Sequence, residues 1–345
     1  MDAQFDVSVI ISTYNRCDLL PIALASIFEQ DSGAVNYEVI VVDNNSTDRT
    51  RQVVESFVER ANVNLNYIFE EKQGLSYARN AGIAVARAPI VAFTDDDVYV
   101  SPDWVANIKR VFDQHPEIGC VGGKVLPQWS NEPPLWLTND HWTPLALLDY
   151  GDSSFYVNND RQICLIGANM AFRREVFERI GVFAPELQRV KGSIGSMEDF
   201  EFELRFYQSG GQGLYEPSLR VSSPVDLERL KKTYHRKWHT GHGRFYAMLH
   251  NEENERASAC LFDIPSHMYR RAAVDAIHWL KYSLQKREAK AFRAETQLRF
   301  FDGFFRERRK EFLKSPQRRG SIAEIISFIG SLASRKLKSN RAEES

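Results

Sequence analysis

The chain has 345 residues, a formal net charge of -2, 43% hydrophobic and 26% charged residues. That is an ordinary globular make-up with room for one large domain or two, and it excludes collagenous, wholly disordered and disulfide-scaffold classes. The charge is uneven: residues 231–345 hold 25 Lys/Arg against 13 Asp/Glu, so +12 follows a front part that sums to -14.

Val7 to Ser12 reads as a buried strand, and Thr13-Tyr14-Asn15-Arg16 turns out of it into a helix that runs to about Gln30. Pro21 falls in that helix's first turn, where its missing N–H costs little. Tyr37 to Val42 is a second strand, closed by Asp43-Asn44-Asn45-Ser46-Thr47-Asp48. Ser46 or Thr47 is expected to cap the next helix, with Asp48 at its positive end. Asn64 to Phe69 is a third strand, and Gln73-Gly74 leads into the helical sequence LSYARNAGIAVAR.

The next stretch carries the chemistry. Ile90-Val91-Ala92-Phe93 reads as a buried parallel strand that ends in Asp95-Asp96-Asp97. Adjacent carboxylates repel each other, and a divalent cation such as Mg²⁺ or Mn²⁺ relieves that repulsion while keeping room for phosphate oxygens. The competing reading is an acidic loop in front of the helix expected over Pro102–Gln114. Cys120 to Leu126 is a further strand. Strands alternating with helices to this point imply a parallel, doubly wound α/β sheet. Loops after successive strands gather at one edge of such a sheet, so Thr13–Arg16, Asp43–Asp48 and Asp95–Asp97 should meet in one crevice. The glycine signatures of dinucleotide oxidoreductases and P-loop NTPases are absent, so side chains and a metal would hold a nucleotide.

Residues 127–165 contain Pro127, Pro133, Pro134 and Pro144 with Trp129, Trp136 and Trp142. These are either aromatic platforms for a sugar or a packed surface loop. The segment GANMAFRREVFERIGVF reads as a turn and a short helix, Arg174 to Ile180. In Ser196 to Leu204, Phe200 and Leu204 share a helical face with Tyr207, and Glu198-Asp199 open the helix. Two acids at a helix start are commonplace, and a carboxylate base aimed into the crevice is the sharper reading.

The tail begins with KKTYHRKWHTGHGRFYAMLH at 231–250. His235 and His239 are four apart, but nothing completes a zinc set. A basic segment closing over a diphosphate fits better, with Lys237, His239 and Arg244 as candidates or His239 on the divalent metal instead; the competing reading is a solvated basic face. From Ser266 the pattern is helical: Val274, Ile277, Leu280 and Leu284 fall at helical spacing beside Trp279, among many Arg and Lys, and Phe300, Phe301, Phe304 and Phe305 follow. A basic amphipathic helix with aromatics reads as a membrane-surface segment, against a packed helical pair. Residues 334–345 look disordered. Cys17, Cys120, Cys164 and Cys260 have no metal-ligand spacing and are expected to be reduced. The N-terminus lacks the pattern of a signal peptide, and the apolar run Ile322–Ala333 is too short to span a bilayer.

Taken together, VSVIISTYNR at 7–16, VIVVDNNSTD at 39–48, GLSYARNAGI at 74–83, FTDDDV at 93–98, GANMAFRREVF at 167–177 and MEDFEFELR at 197–205 resemble glycosyltransferase family 2. The resemblance covers about residues 5–220 and implies the GT-A fold: a Rossmann-like, mostly parallel sheet flanked by helices, here with a C-terminal helical extension. With it the chain reads as a transferase domain at 1–230, followed, on the tail's own pattern, by a basic segment closing the active site at 231–265 and a helical basic extension at 266–333. Asp95 and Asp97 match the outer acids of the family's D-x-D, which reach the metal and the nucleotide, with Asp96 between them. Thr13, Asn15 and Arg16 match the nucleotide cradle, Gly74 and Arg79 lie in a further nucleotide-side motif, and Asp43 and Asn44 match a pair that contacts the base. Many members have a second Asp at the position of Asn44. A UDP-sugar is expected first, a dTDP- or GDP-sugar next. Asp199 matches the catalytic base, with Glu198 beside it.

These roles imply an inverting, metal-dependent transfer from a nucleoside diphosphate sugar to a saccharide acceptor, lipid-linked, in surface or extracellular polysaccharide synthesis. The setting is cytoplasmic, with the tail on the membrane surface and no nucleic-acid partner. A nucleotidyltransferase would use the same metal edge but needs a Gly-rich, cationic loop after the first strand. A silent sugar-nucleotide or membrane-binding scaffold has no need of Asp95, Asp97 and Asp199 together.

Overall fold

The computed structural model describes residues 5–58, 63–187, 197–249 and 259–314. The expected tail at 334–345, the run Ile322–Ala333 and Ser196 lie outside them. The described chain divides into two compact units, the second beginning at Lys231 and also taking in Pro134–His141.

In the first unit, β1 (Val7–Thr13), β2 (Tyr37–Asp43), β3 (Asn64–Phe69) and β4 (Ile90–Asp95) lie parallel in the order β3-β2-β1-β4. Their connections are α1 (Leu20–Phe28), α2 (Thr50–Val58) and α3 (Leu75–Val85). Every residue of β2 is buried, as a strand covered on both faces requires. Pro21 does sit in the first turn of α1. The α2 start is held by Asp48, not by Ser46 or Thr47: its Oδ1 accepts from Thr50 N at 2.9 Å and Thr50 Oγ1 at 2.5 Å.

The sheet does not stay parallel beyond β4. The remaining elements are β5 (Tyr99–Val100), α4 (Trp104–Gln114), β6 (Cys120–Trp129), β7 (Phe155–Val157), β8 (Met170–Arg173), α5 (Arg174–Ile180), α6 (Glu198–Gln208) and β9 (Gly213–Val225). The four-residue β8 inserts antiparallel between β4 and β6, so the sheet runs β3-β2-β1-β4-β8-β6-β9-β5. Asn169, just before β8, locks this seam. Its Nδ2 donates to Lys124 O and Leu219 O, and its Oδ1 accepts from Trp104 Nε1 at 2.8 Å. The buried residues of α6 are Glu198, Phe202, Glu203, Leu204, Phe206 and Tyr207, so Leu204 and Tyr207 of the expected face are buried and Phe200 is half-buried. The mixed sheet flanked by helices is the GT-A architecture.

The second unit holds α7 (Lys232–Met248), a two-residue hairpin of β10 (Cys260–Leu261) and β11 (Ile264–Pro265), α8 (Ser266–Leu284) and α9 (Glu288–Lys314). Helices α7 and α9 meet backbone to backbone. A Cβ on Gly243 would collide with Phe300 O, and one on Gly303 with Thr240 O. Ala247, Ile264, Met268, Phe301 and Phe304 form its core, with Phe300 and Phe305 packed against them. The phenylalanine cluster is therefore interior, not a lipid-facing surface. Trp136 is likewise no open platform: it is buried and packs on His141, His235 and Phe292 within this unit. No described helix is long and apolar enough to cross a membrane.

Candidate active site

The register brings the polar loops together. Thr13 pairs with Asp43 across β1 and β2, and Ser12 with Asp95 across β1 and β4, so three strand ends are level. The first two loops are stitched by hydrogen bonds: Asn15 N donates to Ser46 Oγ at 2.9 Å, Thr47 N to Asn15 Oδ1 at 2.7 Å, and Cys17 N to Asp48 Oδ2 at 3.0 Å. Asn15 takes φ 52°, a left-handed conformation that Asn tolerates better than most residues.

Asp43 and Asn44 are buried and shape the loop floor. Asp43 accepts from Ser46 N and Tyr67 Oη, both at 2.8 Å. Asn44 Nδ2 donates to Glu70 O at 3.3 Å and Lys72 O at 2.7 Å, while its Oδ1 accepts from Gly74 N at 2.6 Å. A carboxylate cannot make those two donations, so this loop needs the amide. Gly74 opens α3 at φ 147°, a region that side chains rarely adopt.

Arg16 spans the acidic strand end. Its Nη1 lies 2.8 Å from Asp96 Oδ1 and 2.6 Å from Asp97 Oδ2. Burial works against the guanidinium's charge, but Asp96 and Asp97 raise its pKa regardless. Burial and then the neighbouring Asp97 charge push the Asp95 carboxyl up to about 7, against the pull of Arg79. Asp96 is also raised, first by burial. This set is short of positive charge and presents only hard oxygens, which fits Mg²⁺ or Mn²⁺. Among the described residues no three His, Cys, Asp or Glu side chains converge as a ready-made metal cage.

The second half of the site is organised by Arg79. This arginine is 3% exposed, lies over the rings of Phe93 and Phe183, and pairs through Nη1 with Asp199 Oδ1. Burial opposes its charge, yet Asp199, Glu198 and Asp95 together raise its pKa. One buried cation thus answers both the strand-end Asp95 and the acids that open α6. Asp199 Oδ2 accepts from Gly167 N at 3.2 Å. A Cβ on Gly167 would strike Arg79 Nη2 and come within 2.8 Å of Asp199 Oδ2. Of the two helix-start acids, Asp199 keeps its side chain 22% exposed, whereas Glu198 is 2% exposed. Glu203, one turn on, is fully buried and accepts from Leu165 N; burial, then Asp199, pushes its pKa well up.

The residues of α7 belong to the second unit. Lys237 and Arg244 line a groove between α7 and α9 of about 770 Å³, with Arg236, Arg299 and Lys310. Arg244 is paired there with Glu307 at 2.9 Å. His239 has its pKa lowered to about 3 by burial and by His242, His235 and His141, so it is a neutral imidazole at pH 7. His235 is fully buried against Trp136 and Phe292, which explains the four-residue histidine spacing as packing. All four cysteines are free thiols. Sequence reasoning missed the roles of Gly167 and Glu203 and the tie between Arg79 and Asp199. The only local signal was a small residue before a short apolar stretch.

Comparison with known proteins bears on the family and the fold. Residues 8–181 match the family model described as glycosyl transferase family 2. The glucosyl-dolichyl phosphate glucuronosyltransferase of Haloferax volcanii is 27% identical over 220 residues, which are 63% of this chain and 68% of that one. Several further relatives are longer, and the chain spans 24%, 22% and 12% of three of them. Among solved structures, the mannosyltransferase PcManGT from Pyrobaculum calidifontis, in complex with GDP-Man and Mn²⁺, superposes with a TM-score of 0.54 at 20% identity, covering 99% of this chain and 83% of that chain. Residues 1–349 of TarS from S. aureus, in complex with UDP-GlcNAc, give 0.53 at 18% identity, covering 88% and 92%. These likenesses carry the fold.

Proposed function

The chain belongs to glycosyl transferase family 2, and from that premise we propose that it is an inverting, metal-dependent transferase acting on a nucleoside diphosphate sugar. The carrying observation is the buried Arg79 that ties the strand-end acids to Asp199. In this reading Thr13, Asn15, Arg16, Asp43, Asn44 and Gly74 form the nucleotide side. Asp95 and Asp97 would hold the divalent cation; when bound, that ion supplies charge neutralisation for the departing diphosphate.

Asp199 takes the proton of the acceptor hydroxyl as its oxygen attacks the sugar's C1. The new C–O bond forms as the bond from C1 to the diphosphate oxygen breaks, and the nucleoside diphosphate leaves with the bonding pair. One displacement inverts the anomeric centre. Arg79 holds Oδ1 of Asp199 and the Gly167 N–H holds Oδ2, and each oxygen keeps a further lone pair that can take the acceptor proton. Arg79 is thus a positioning residue.

UDP is the first choice of nucleotide, with dTDP and GDP next; solved relatives carry UDP-GlcNAc and GDP-Man. The acceptor is a saccharide, lipid-linked as the name of the Haloferax relative suggests for that enzyme, in surface or extracellular polysaccharide synthesis. The enzyme works peripherally on the cytoplasmic face, where nucleotide sugars are made. A thermal-shift screen of nucleotide sugars with Mn²⁺ tests this. A donor at 100 times its Kd should stabilise by about 2.7 kcal/mol, and the product formed with a matching acceptor should show the opposite anomeric configuration. No stabilisation by any nucleotide sugar, or retained configuration, defeats the reading.

A further inference from the structure

In the second unit, α8 is built inside out. Its inner side runs from Met268 through Ala272, Asp275 and Tyr282, which are buried or half-buried, with Trp279 on the same side 42% exposed. Its outer side carries Val274 (45% exposed), Ile277 (65%), Leu280 (55%) and Leu284 (77%), which recur at three- and four-residue spacing. Large apolar side chains concentrated on one solvent face mark an interaction surface. The chemistry around the stripe says what it meets. Arg270 and Lys281 fall on the same helical side, Arg271, Lys286 and Arg287 are close by, and Asp275 is the lone acid over residues 266–287. The helix is 19 residues, about 28 Å, and fails the apolarity needed to span. An apolar stripe edged by cations on a non-spanning helix suits an interface between headgroups and acyl chains.

We propose that the outer face of α8 docks the protein in the plane of an anionic bilayer, with Ile277, Leu280 and Leu284 inserted and Arg270 and Lys281 at the headgroups. This rests on the peripheral-membrane part of the proposed function and names the surface responsible. It also accounts for the division of labour in the tail: Phe301 and Phe304 form the core, leaving α8 to present apolar atoms outward.

The test is vesicle flotation of the full chain with phosphatidylcholine vesicles, with and without phosphatidylglycerol, for the wild type and the double variant Ile277→Glu/Leu280→Glu. Both positions are more than half exposed, so circular dichroism and melting temperature should be unchanged. The wild type should float with anionic vesicles, less so at high salt, and the double variant should lose roughly tenfold or more of that binding. No wild-type binding, or equal binding to neutral vesicles, overturns the proposal. Unchanged binding by the double variant overturns the assignment to α8, leaving other cations as the anchor. A wild-type dimer that the same variant dissociates, seen by light scattering, overturns it in favour of a second copy. Donor turnover measured in parallel separates the cases: vesicle binding without any glycosyl transfer defeats the enzymatic reading and leaves the docking surface standing.

Discussion

Gly167→Ala should disable the enzyme without removing any ionisable group. The added Cβ comes within 2.8 Å of Asp199 Oδ2 and strikes Arg79 Nη2. Ordinary non-bonded contact is about 3.5 Å, so the carboxylate must retreat by roughly half an ångström or more. Arg79 has little room to yield, being 3% exposed with its guanidinium over Phe93 and Phe183. Overpacking of this kind costs about 1–3 kcal/mol, which lowers the melting temperature by a few degrees in a unit of this size. The catalytic cost should be larger, because displacement of a base by about an ångström costs ~10²-fold in rate. Release of nucleoside diphosphate in the presence of acceptor measures turnover, and donor-induced thermal stabilisation measures binding. The expected outcome is turnover down by about 10²-fold with donor stabilisation nearly intact. Wild-type turnover in Gly167→Ala would refute the idea that Arg79 and the Gly167 N–H set the aim of Asp199.

Four further outcomes follow from the same geometry. Asp199→Asn keeps shape and removes proton affinity, so turnover should fall by roughly 10²-fold or more with donor binding retained; if it turns over normally, Asp199 is a structural partner of Arg79 and no more. Asp97→Ala should keep the fold and lose Mn²⁺-dependent nucleotide binding, and a wild type whose nucleotide affinity is indifferent to EDTA would contradict the metal site. Asn44→Asp, although it restores a residue common in the family, should destabilise by about 1–3 kcal/mol, because two donations to Glu70 O and Lys72 O become unmade; an unchanged melting temperature would show that the amide is dispensable. His239 and His242 are held neutral, at about 3 and about 4, by burial first. The unfolded chain protonates them below about 6.5, so their contribution is present above that pH and is lost as pH falls toward 4. The melting temperature should drop by several degrees between pH 7 and pH 5, and His239→Gln should flatten that slope.

Much of the first unit was legible because its strands are covered on both faces. Val7–Thr13, Tyr37–Asp43 and Ile90–Asp95 are near-continuous apolar runs ending in polar residues, and the convergence of their loops follows from parallel topology. The illegible strands are those with weak local signals. Met170–Arg173 is four residues long and runs straight into α5, while Gly213–Val225 contains Pro217 and Pro224, which argue against a strand. Their pairing partners decide their state. In the second unit, helical periodicity was readable in both α8 and α9, but periodicity reports only that one side is apolar. Which side meets protein depends on the partner, and here the Phe300–Phe305 cluster faces in while the Val274–Leu284 stripe faces out.

The same limit explains why Arg79 could not be read as the centre of the site. An arginine in Leu75–Val85, between two alanine-rich turns, looks like any exposed helix cation. It is buried because β4 ends beneath it and because Gly167 and α6, far away in sequence, come to rest against it. A buried guanidinium costs several kcal/mol in lost hydration unless carboxylates answer it, and here three do: Asp199, Glu198 and Asp95. Removing any one of them leaves the cation partly unpaid in solvation terms, and removing the cation leaves three acids crowded in one interior. The acids that would serve the metal and the acid that would take the proton are therefore not independent. A substitution that removes the Arg79 charge should disturb metal affinity and turnover together, whereas Gly167→Ala shifts Arg79 and Asp199 but keeps the charge, so it should disturb turnover more than metal affinity. Measuring both variants for Mn²⁺ affinity separates the two effects, and equal loss of Mn²⁺ affinity in Gly167→Ala would mean that the two halves of the site move as one.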